Sequence, residues 1–224
     1  MEKTRLLFYE DAYLQSCESQ VVSFVPVNDN FVGLILTKTC FFPHSGGASG
    51  DTGRINDMQT FEAILDTTNH IVIHPISIEE QTKFCIHKPV SCRIDWARRY
   101  MIMRLHSASH IMEHFLFSLV PQIKLLGTNV NEERDSSTYE TQERIPDQII
   151  DQLNRLTNEF IGGSHEIRTY PDNINVSRRV WECHGIILSC GGVHPRNTQE
   201  IGAVLIKRKG GSNRQRIRTE LCEP

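Results

Sequence analysis

The sequence predicts an α+β protein. A small N-terminal β-barrel covers residues 1–90, and an α+β domain over 91–224 packs two helices on a mainly antiparallel sheet. Three observations carry this. Short β-rich runs with regular turn signals fill the first 90 residues, helical periodicity sets in after Asp95 and again after Pro146, and β-rich runs return from Ile167 to the end.

Gln20–Val27 and Phe31–Phe41 are rich in β-branched and aromatic residues and flank Asn28-Asp29-Asn30, the pattern of a hairpin. After Pro43 the run Ser45–Gly53 holds too much glycine for a helix or a central strand, so it is a loop whose backbone can approach a ligand closely. Thr60–Leu65 and Ile71–Ile76 are two further short strands around an Asp-Thr-Thr-Asn turn, and together these runs suggest the barrel.

Asp95 can cap a helix from Trp96, in which Met101, Leu105, Ala108, Met112, Phe115, Leu116 and Leu119 recur at helical spacing until Pro121 ends it. Residues 129–144 are polar and acidic and predict an exposed excursion or hairpin. Pro146 opens a second helix over Asp147–Ile161, with Ile149, Ile150, Leu153, Leu156 and Phe160 on one stripe and Gly162-Gly163 as a stop. Strands follow near Ile167, at Val176–Trp181, at Ile186–Leu188, at Ile201–Lys207 and at Arg216–Leu221, finishing one sheet.

The chain has 224 residues, a formal charge of −3, 39% hydrophobic and 23% charged residues, which fits one large domain or two small ones. No apolar run approaches the roughly 18 residues of a membrane span, and Met1-Glu-Lys-Thr-Arg is not followed by a signal-peptide core, so a cytoplasmic protein is expected. Seven cysteines without a small-scaffold spacing fit reduced thiols better than a disulfide framework. The acidic balance argues against bulk nucleic-acid binding while leaving room for local basic patches.

The chemistry concentrates in His106 and His110, one helical turn apart and therefore on one face. His114 continues the spacing, but eight residues rotate it by roughly 80° from His106, which makes it a poorer third ligand. Cys190-Gly-Gly-Val-His194 adds a thiolate and an imidazole converging through a glycine turn. One sulfur and three nitrogens favour Zn2+ over magnesium or calcium, which take oxygen. Cys183-His184 and Cys85/His87 rank lower because neighbouring residues on a strand do not share a face. The helical pair also lacks the glutamate of H-E-x-x-H, so no metalloprotease base is supplied there.

Asp95–His110, Cys190-Gly-Gly-Val-His194 and Glu200-Ile-Gly202 resemble the AlaX family of free-standing alanyl-tRNA editing proteins, relatives of the editing domains of alanyl- and threonyl-tRNA synthetases. Thr39-Cys-Phe-Phe-Pro43 and Ser45–Gly53 are similar to the family's Thr-x-Phe-Tyr-Pro segment and glycine-rich loop, and the length matches its medium form. The resemblance implies an editing-type domain and hydrolysis of the ester joining a wrong amino acid, typically serine or glycine, to alanine tRNA. Such a second site corrects what binding alone discriminates poorly. It places His106, His110, Cys190 and His194 on the zinc ligands through which catalysis runs. It also assigns Thr39 to amino-acid choice and Gly46, Gly47, Ala48 and Asp51 to the pocket wall.

This chain departs from the family at Phe42, Ser45, Ala48, Val193 and Gln199, which removes polar groups from around the implied pocket. For the tRNA acceptor stem the candidates are Arg98, Arg99, Lys207, Arg208, Lys209, Arg214 and Arg216, with Arg93, Arg104 and Arg218 beside them. The plainer account of that charge is a solvated strand edge. No obligate protein partner and no membrane are implied. The leading function is a zinc-dependent deacylase acting in trans. A zinc-stabilised RNA-binding module that has lost hydrolysis is the alternative, and a zinc hydrolase of an unrelated small ester is the third.

Overall fold

The computed structural model describes residues 3–175 and 178–222, so Val176, where one strand is expected to begin, lies outside the described residues. The chain forms two compact units. Unit one comprises the residues up to Ser45 together with Ser49–Arg99, and unit two comprises Gly46–Ala48 together with Tyr100 onward.

Unit one is all β apart from short 3-10 turns and the first turn of a helix. Strand β1 is Arg5–Leu6, β2 Ser16–Asn28, β3 Phe31–Leu36, β4 Lys38–Thr39, β5 Gly53–Ile55, β6 Met58–Thr60, β7 Ile64–Asp66, β8 Ile71–Ser77 and β9 Pro89–Ile94. β1 and β4 pair in parallel as a two-stranded sheet, and the other seven form one antiparallel sheet in the order β6-β5-β9-β2-β3-β8-β7. The expected hairpin is β2/β3, closed by the Asn28 side chain, which accepts the N–H groups of Asn30 at 2.9 Å and Phe31 at 3.1 Å. β2 is long enough to serve two neighbours, pairing through Ser16–Gln20 with β9 and from Val21 onward with β3. Val21, Leu34, Leu36, Phe41, Ile55 and Val72 fill the core beneath.

The sheet is not the expected barrel. Its end strands β6 and β7 are not joined by any ladder among the described residues. Thr60 Oγ1 and Phe61 N both donate to Pro75 O at 3.0 Å, but Pro75 has no N–H to return, so pairing stops there. The same region corrects the single strand expected at Thr60–Leu65. It is two three-residue strands, because the N–H groups of Phe61 and Ala63 turn to Pro75 O and Asp51 O instead of a common partner strand.

Helix α1, Trp96–Leu119, starts where Asp95 accepts the N–H of Arg98 at 3.1 Å. The sequence suggests an apolar stripe, but from Ile102 to Met112 only Arg104 and His110 are even partly exposed, so this stretch is buried on nearly every side. Next come β10 Lys124–Gly127, β11 Asp135–Glu140, α2 Asp147–Gly162, β12 Ile167–Pro171, β13 Arg179–Cys183, β14 Ile186–Ser189, β15 Val204–Gly210 and β16 Arg214–Leu221. They build two sheets rather than one, β10-β11-β16-β15 and β12-β13-β14, because the glycine- and proline-bearing run between β14 and β15 forms no ladder strand. α2 docks on β15 through two asparagines one turn apart. Asn154 bonds Ile206 O and N at 2.8 and 2.7 Å, and Asn158 bonds Val204 O and N at 2.9 Å each.

The polar run at 129–144 is also not an excursion, since β11 lies inside the four-stranded sheet with Asp135, Ser137 and Tyr139 buried. Burial is tolerated because most of these groups find partners, Asp135 Oδ2 excepted. Asp135 Oδ1 accepts from Thr128 at 3.1 Å and Ser137 at 2.9 Å, and Tyr139 O–H donates to Glu113 on α1 at 2.8 Å. No helix is long and apolar enough to cross a membrane.

Candidate metal centre

His106 and His110 project from the buried middle of α1, while Cys190 and His194 sit on the loop that follows β14. The four side chains bring one ligand atom each to within 4.8 Å of one another. Cys190 Sγ lies 3.6 Å from His106 Nε2 and 3.3 Å from His194 Nε2, and the imidazoles of His106 and His194 are 4.5 Å apart at their centroids. The loop reaches this depth because residue 192 has no side chain. A Cβ there would stand 2.3 Å from His106 Cε1, so only glycine lets the backbone pass.

Residues behind the four set their orientation. Ser107 Oγ bonds His194 Nδ1 at 2.8 Å, which leaves Nε2 directed at the cluster. Gly192 N–H donates to Cys190 Sγ at 3.3 Å, and the Trp181 ring stands 5.2 Å from that of His110. Ser107 lies between the two helical ligands in sequence, and a hydroxyl in that position is the signal that sequence reasoning passed over.

Burial lowers the His106 imidazole to about 4, and burial together with His106 holds those of His110 and His194 well below the ordinary range. All three are therefore neutral, the form that binds metals. Burial pushes the Cys190 thiol up to about 11, and a cation bound beside it would reverse that shift by stabilising the thiolate. His110 Nε2 is buried with no hydrogen-bond partner. An orphaned nitrogen facing three further soft or borderline donors fits a metal ion better than it fits a closed hydrogen-bond network.

The chain matches no protein-family model. It is 30% identical over 223 residues to a Pyrococcus horikoshii protein named alanyl-tRNA editing protein AlaX-M, covering 97% of both chains. The chain belongs to the AlaX family. A protein of the same name from Saccharolobus solfataricus is 28% identical over 96% of this chain and 97% of its own length. An alanine–tRNA ligase of Saccharolobus islandicus is 28% identical over 92% of this chain, which spans a quarter of that longer enzyme.

The other sequence candidates of this AlaX member fall into distinct settings. In unit one, Thr39 is fully buried. His74 Nδ1 lies 3.1 Å from Leu34 O and so carries its proton there, leaving Nε2 to accept the Thr39 hydroxyl at 2.8 Å, while Thr39 Oγ1 accepts the Phe41 N–H at 3.0 Å. His74 was not foreseen; it lies in a strand run with no spacing to mark it. Asp51 and Arg99 are both buried and paired, with Arg99 Nε 2.8 Å from Asp51 Oδ1, and Arg99 also donates to Ala12 O and Cys40 O. Neither keeps a group free for a substrate or a phosphate. Arg98 is partly buried and donates to Gly50 O, and Arg93 is exposed on β9.

In unit two, Gly46 and Gly47 both take left-handed backbone, with φ of 60° and 83°. A Cβ on Gly47 would lie 2.6 Å from Thr128, and the Val130 N–H donates to Gly47 O at 2.8 Å. Ala48 is buried and bridges to Val130. The decoy His184 stacks on His165 at 4.0 Å, Cys183 is buried in the core, and His114 is exposed.

Of the basic residues, Lys207, Lys209, Arg214 and Arg216 are exposed on the β15/β16 hairpin, where Lys207 stands opposite Arg218 and Lys209 opposite Arg216. Arg208 alternates to the other face, where its guanidinium is largely buried and pairs with Asp147 of α2. Arg104 is held by Ile201 O. Arg134, Ser136 and Thr138 join Arg216 and Arg218 around an open pocket of about 410 Å³, and their alternation inside an acidic-looking run hid them from the sequence reading.

Proposed function

We propose that this AlaX member is a zinc-dependent aminoacyl-tRNA deacylase acting in trans in the cytoplasm. It would remove serine or glycine from alanine tRNA, with residues 1–90 and 91–224 as its two domains. The observation that carries the reading is the cluster of one thiol and three neutral imidazoles within 4.8 Å. His106, His110, Cys190 and His194 would hold the ion. Bound there, zinc supplies a Lewis-acidic charge that favours an ester carbonyl and the negative charge developing on it.

The chain's own residues do the rest. Ser107 fixes the His194 ring and Gly192 admits the loop, while Thr39, the residue that the resemblance assigns to amino-acid choice, has its hydroxyl held between His74 and the Phe41 N–H. Gly46, Gly47 and Ala48 line the amino-acid pocket through backbone, whereas Asp51 serves it only by anchoring Arg99.

The acceptor stem is met by the outer face of the four-stranded sheet. Rows Ser136–Arg218–Lys207 and Thr138–Arg216–Lys209 each align a hydroxyl with two cations. Glu220 pairs with Lys207 at 2.7 Å, so the cost of like charges directly opposite one another, which an RNA backbone offsets, falls mainly on Arg216 and Lys209. Arg208 and Arg99 are outside this surface. The names of the relatives support an alanyl-tRNA substrate.

The test is metal analysis with a deacylation panel of seryl, glycyl and alanyl esters on alanine and threonine tRNAs. About one zinc per chain is expected, with multiple turnover on seryl- or glycyl-tRNA that His106→Ala abolishes. Stoichiometric zinc and tRNA binding without turnover would instead leave an RNA-binding module.

A further inference from the structure

A second cluster of soft donors lies in unit one, apart from the four already described. Cys17 on β2 and Cys92 on β9 are direct partners across the antiparallel ladder. The Cys17 thiol interacts with those of both Cys92 and Cys40. Cys40 and Cys92 are fully buried, while Cys17 is part-exposed and, with Cys92, lines an open pocket of about 440 Å³. Cys40 does not reach that pocket. Arg54 and Arg93 stand on its wall beside Glu18 and Asp57.

Cys40 and Cys92 belong to the core of this unit and Cys17 packs against it. Interaction with the neighbouring thiols and the positive charge of Lys38 hold the Cys17 thiol below its ordinary range against the opposing effect of burial, while those of Cys40 and Cys92 are pushed up. Directly opposed residues of an antiparallel pair have Cα atoms about 4.5–5.5 Å apart, within the span of about 4.4–6.8 Å that a disulfide bridges.

We infer that Cys17 is a peroxide-reactive thiol resolved by Cys92, forming a reversible cross-strand disulfide between β2 and β9. The Cys17 thiolate attacks one oxygen of hydrogen peroxide, the O–O bond breaks, and hydroxide leaves to give a sulfenic acid. The sulfur of Cys92 then displaces hydroxide from that sulfenic sulfur, forming the S–S bond and releasing its own proton. Two thiols lose two electrons and two protons, and one peroxide becomes two waters. Cys40 has no opening to the pocket and stays reduced.

The experiment is peroxide titration of the full, pre-reduced chain, followed by alkylation and non-reducing peptide mapping, with Cys190 scored separately. The exposed thiols Cys85 and Cys222 act as internal references. Cys17 is expected to alkylate about tenfold faster than either at neutral pH, and peroxide should convert Cys17 and Cys92 to one disulfide that dithiothreitol reverses. The Cys92→Ser chain should accumulate a dimedone-trapped sulfenic acid at Cys17. The wild-type mapping decides the matter even if that variant fails to fold. Cys17 reacting no faster than the reference thiols, a disulfide to Cys40, or no disulfide would overturn the inference.

Discussion

The two units treat buried polar groups in opposite ways. In unit one the polar interior closes on itself: Arg99 spends its guanidinium on Asp51, Ala12 O and Cys40 O, and Thr39, His74 and Leu34 O form a completed chain of bonds. In unit two, buried atoms remain without a hydrogen-bond partner, among them His110 Nε2, Asp135 Oδ2 and Trp181 Nε1. An unsatisfied buried group costs about 1–3 kcal/mol. Of these atoms, His110 Nε2 belongs to the four-donor cluster, where a bound ion can complete it. Polar groups hold the architecture in both units, as Asn154 and Asn158 do on β15, but in unit two the histidine–cysteine cluster is left for a ligand.

The largest expected effect breaks the closed side of this contrast. Asp51→Ala strands a buried guanidinium and should destabilise the protein by about 3–5 kcal/mol in urea denaturation. A loss under about 1 kcal/mol would mean that the pair is not what closes unit one. The open side is tested by removing metal. Relative to zinc at a hundred times its dissociation constant, chelation should lower stability by about 2.7 kcal/mol. It should also change the emission of Trp181, whose ring is 5.2 Å from that of His110. Melting curves and emission unchanged by chelator would show that unit two is already complete.

A smaller effect sharpens the comparison within the metal loop. Gly192→Ala pushes a methyl against His106 and should weaken zinc binding about 10–100-fold with the fold retained, as displacing the supports of a metal ligand commonly does. Isothermal titration would read it.

The smallest effect is in pH, where raised carboxyls oppose the buried histidines. Burial lowers His74 from 6.5 to about 4, so the unfolded chain binds the extra proton between those values and stability rises with pH across that window. Burial raises Glu113 from 4.5 to about 7, so the folded chain holds the extra proton and stability falls as pH rises from 4.5 to 7. His106, His110 and His194 act in the same sense as His74, and Asp135, raised by burial to about 6, acts with Glu113. Glu113→Gln should therefore steepen the rise of stability with pH, by at most about 2 kcal/mol between about 4.5 and 6.5. Thermal melts across pH would show it, and a slope unchanged in the variant would remove Glu113 from the account.

Much of this was legible in the sequence where a local rule and the tertiary environment agree. The β2/β3 hairpin, both helices with their Asp95 and Pro146 starts, and the convergence of His106, His110, Cys190 and His194 follow from turn chemistry, caps and spacing. The misses share one cause. Asp135, Ser137 and Arg99 are polar, and polarity alone suggested exposure, yet each is buried with partners, supplied nearby by Thr128 and by each other for Asp135 and Ser137 and from 48 residues away by Asp51 for Arg99. Arg208 was grouped with its charged neighbours because a strand's alternation is invisible until its register is known. The barrel failed on one proline, whose missing N–H weighs little in a composition argument and ends a ladder in three dimensions.

That open sheet has a bearing on how the molecule behaves among its own copies. A closed barrel offers no unpaired backbone to a neighbour, whereas an open sheet offers two rims, each a template on which another chain could add a strand. Here both rims are strands of only three residues, β6 and β7, too short to seat a stable intermolecular ladder. The missing closure of this sheet thus gives a neighbouring copy little backbone on which to build.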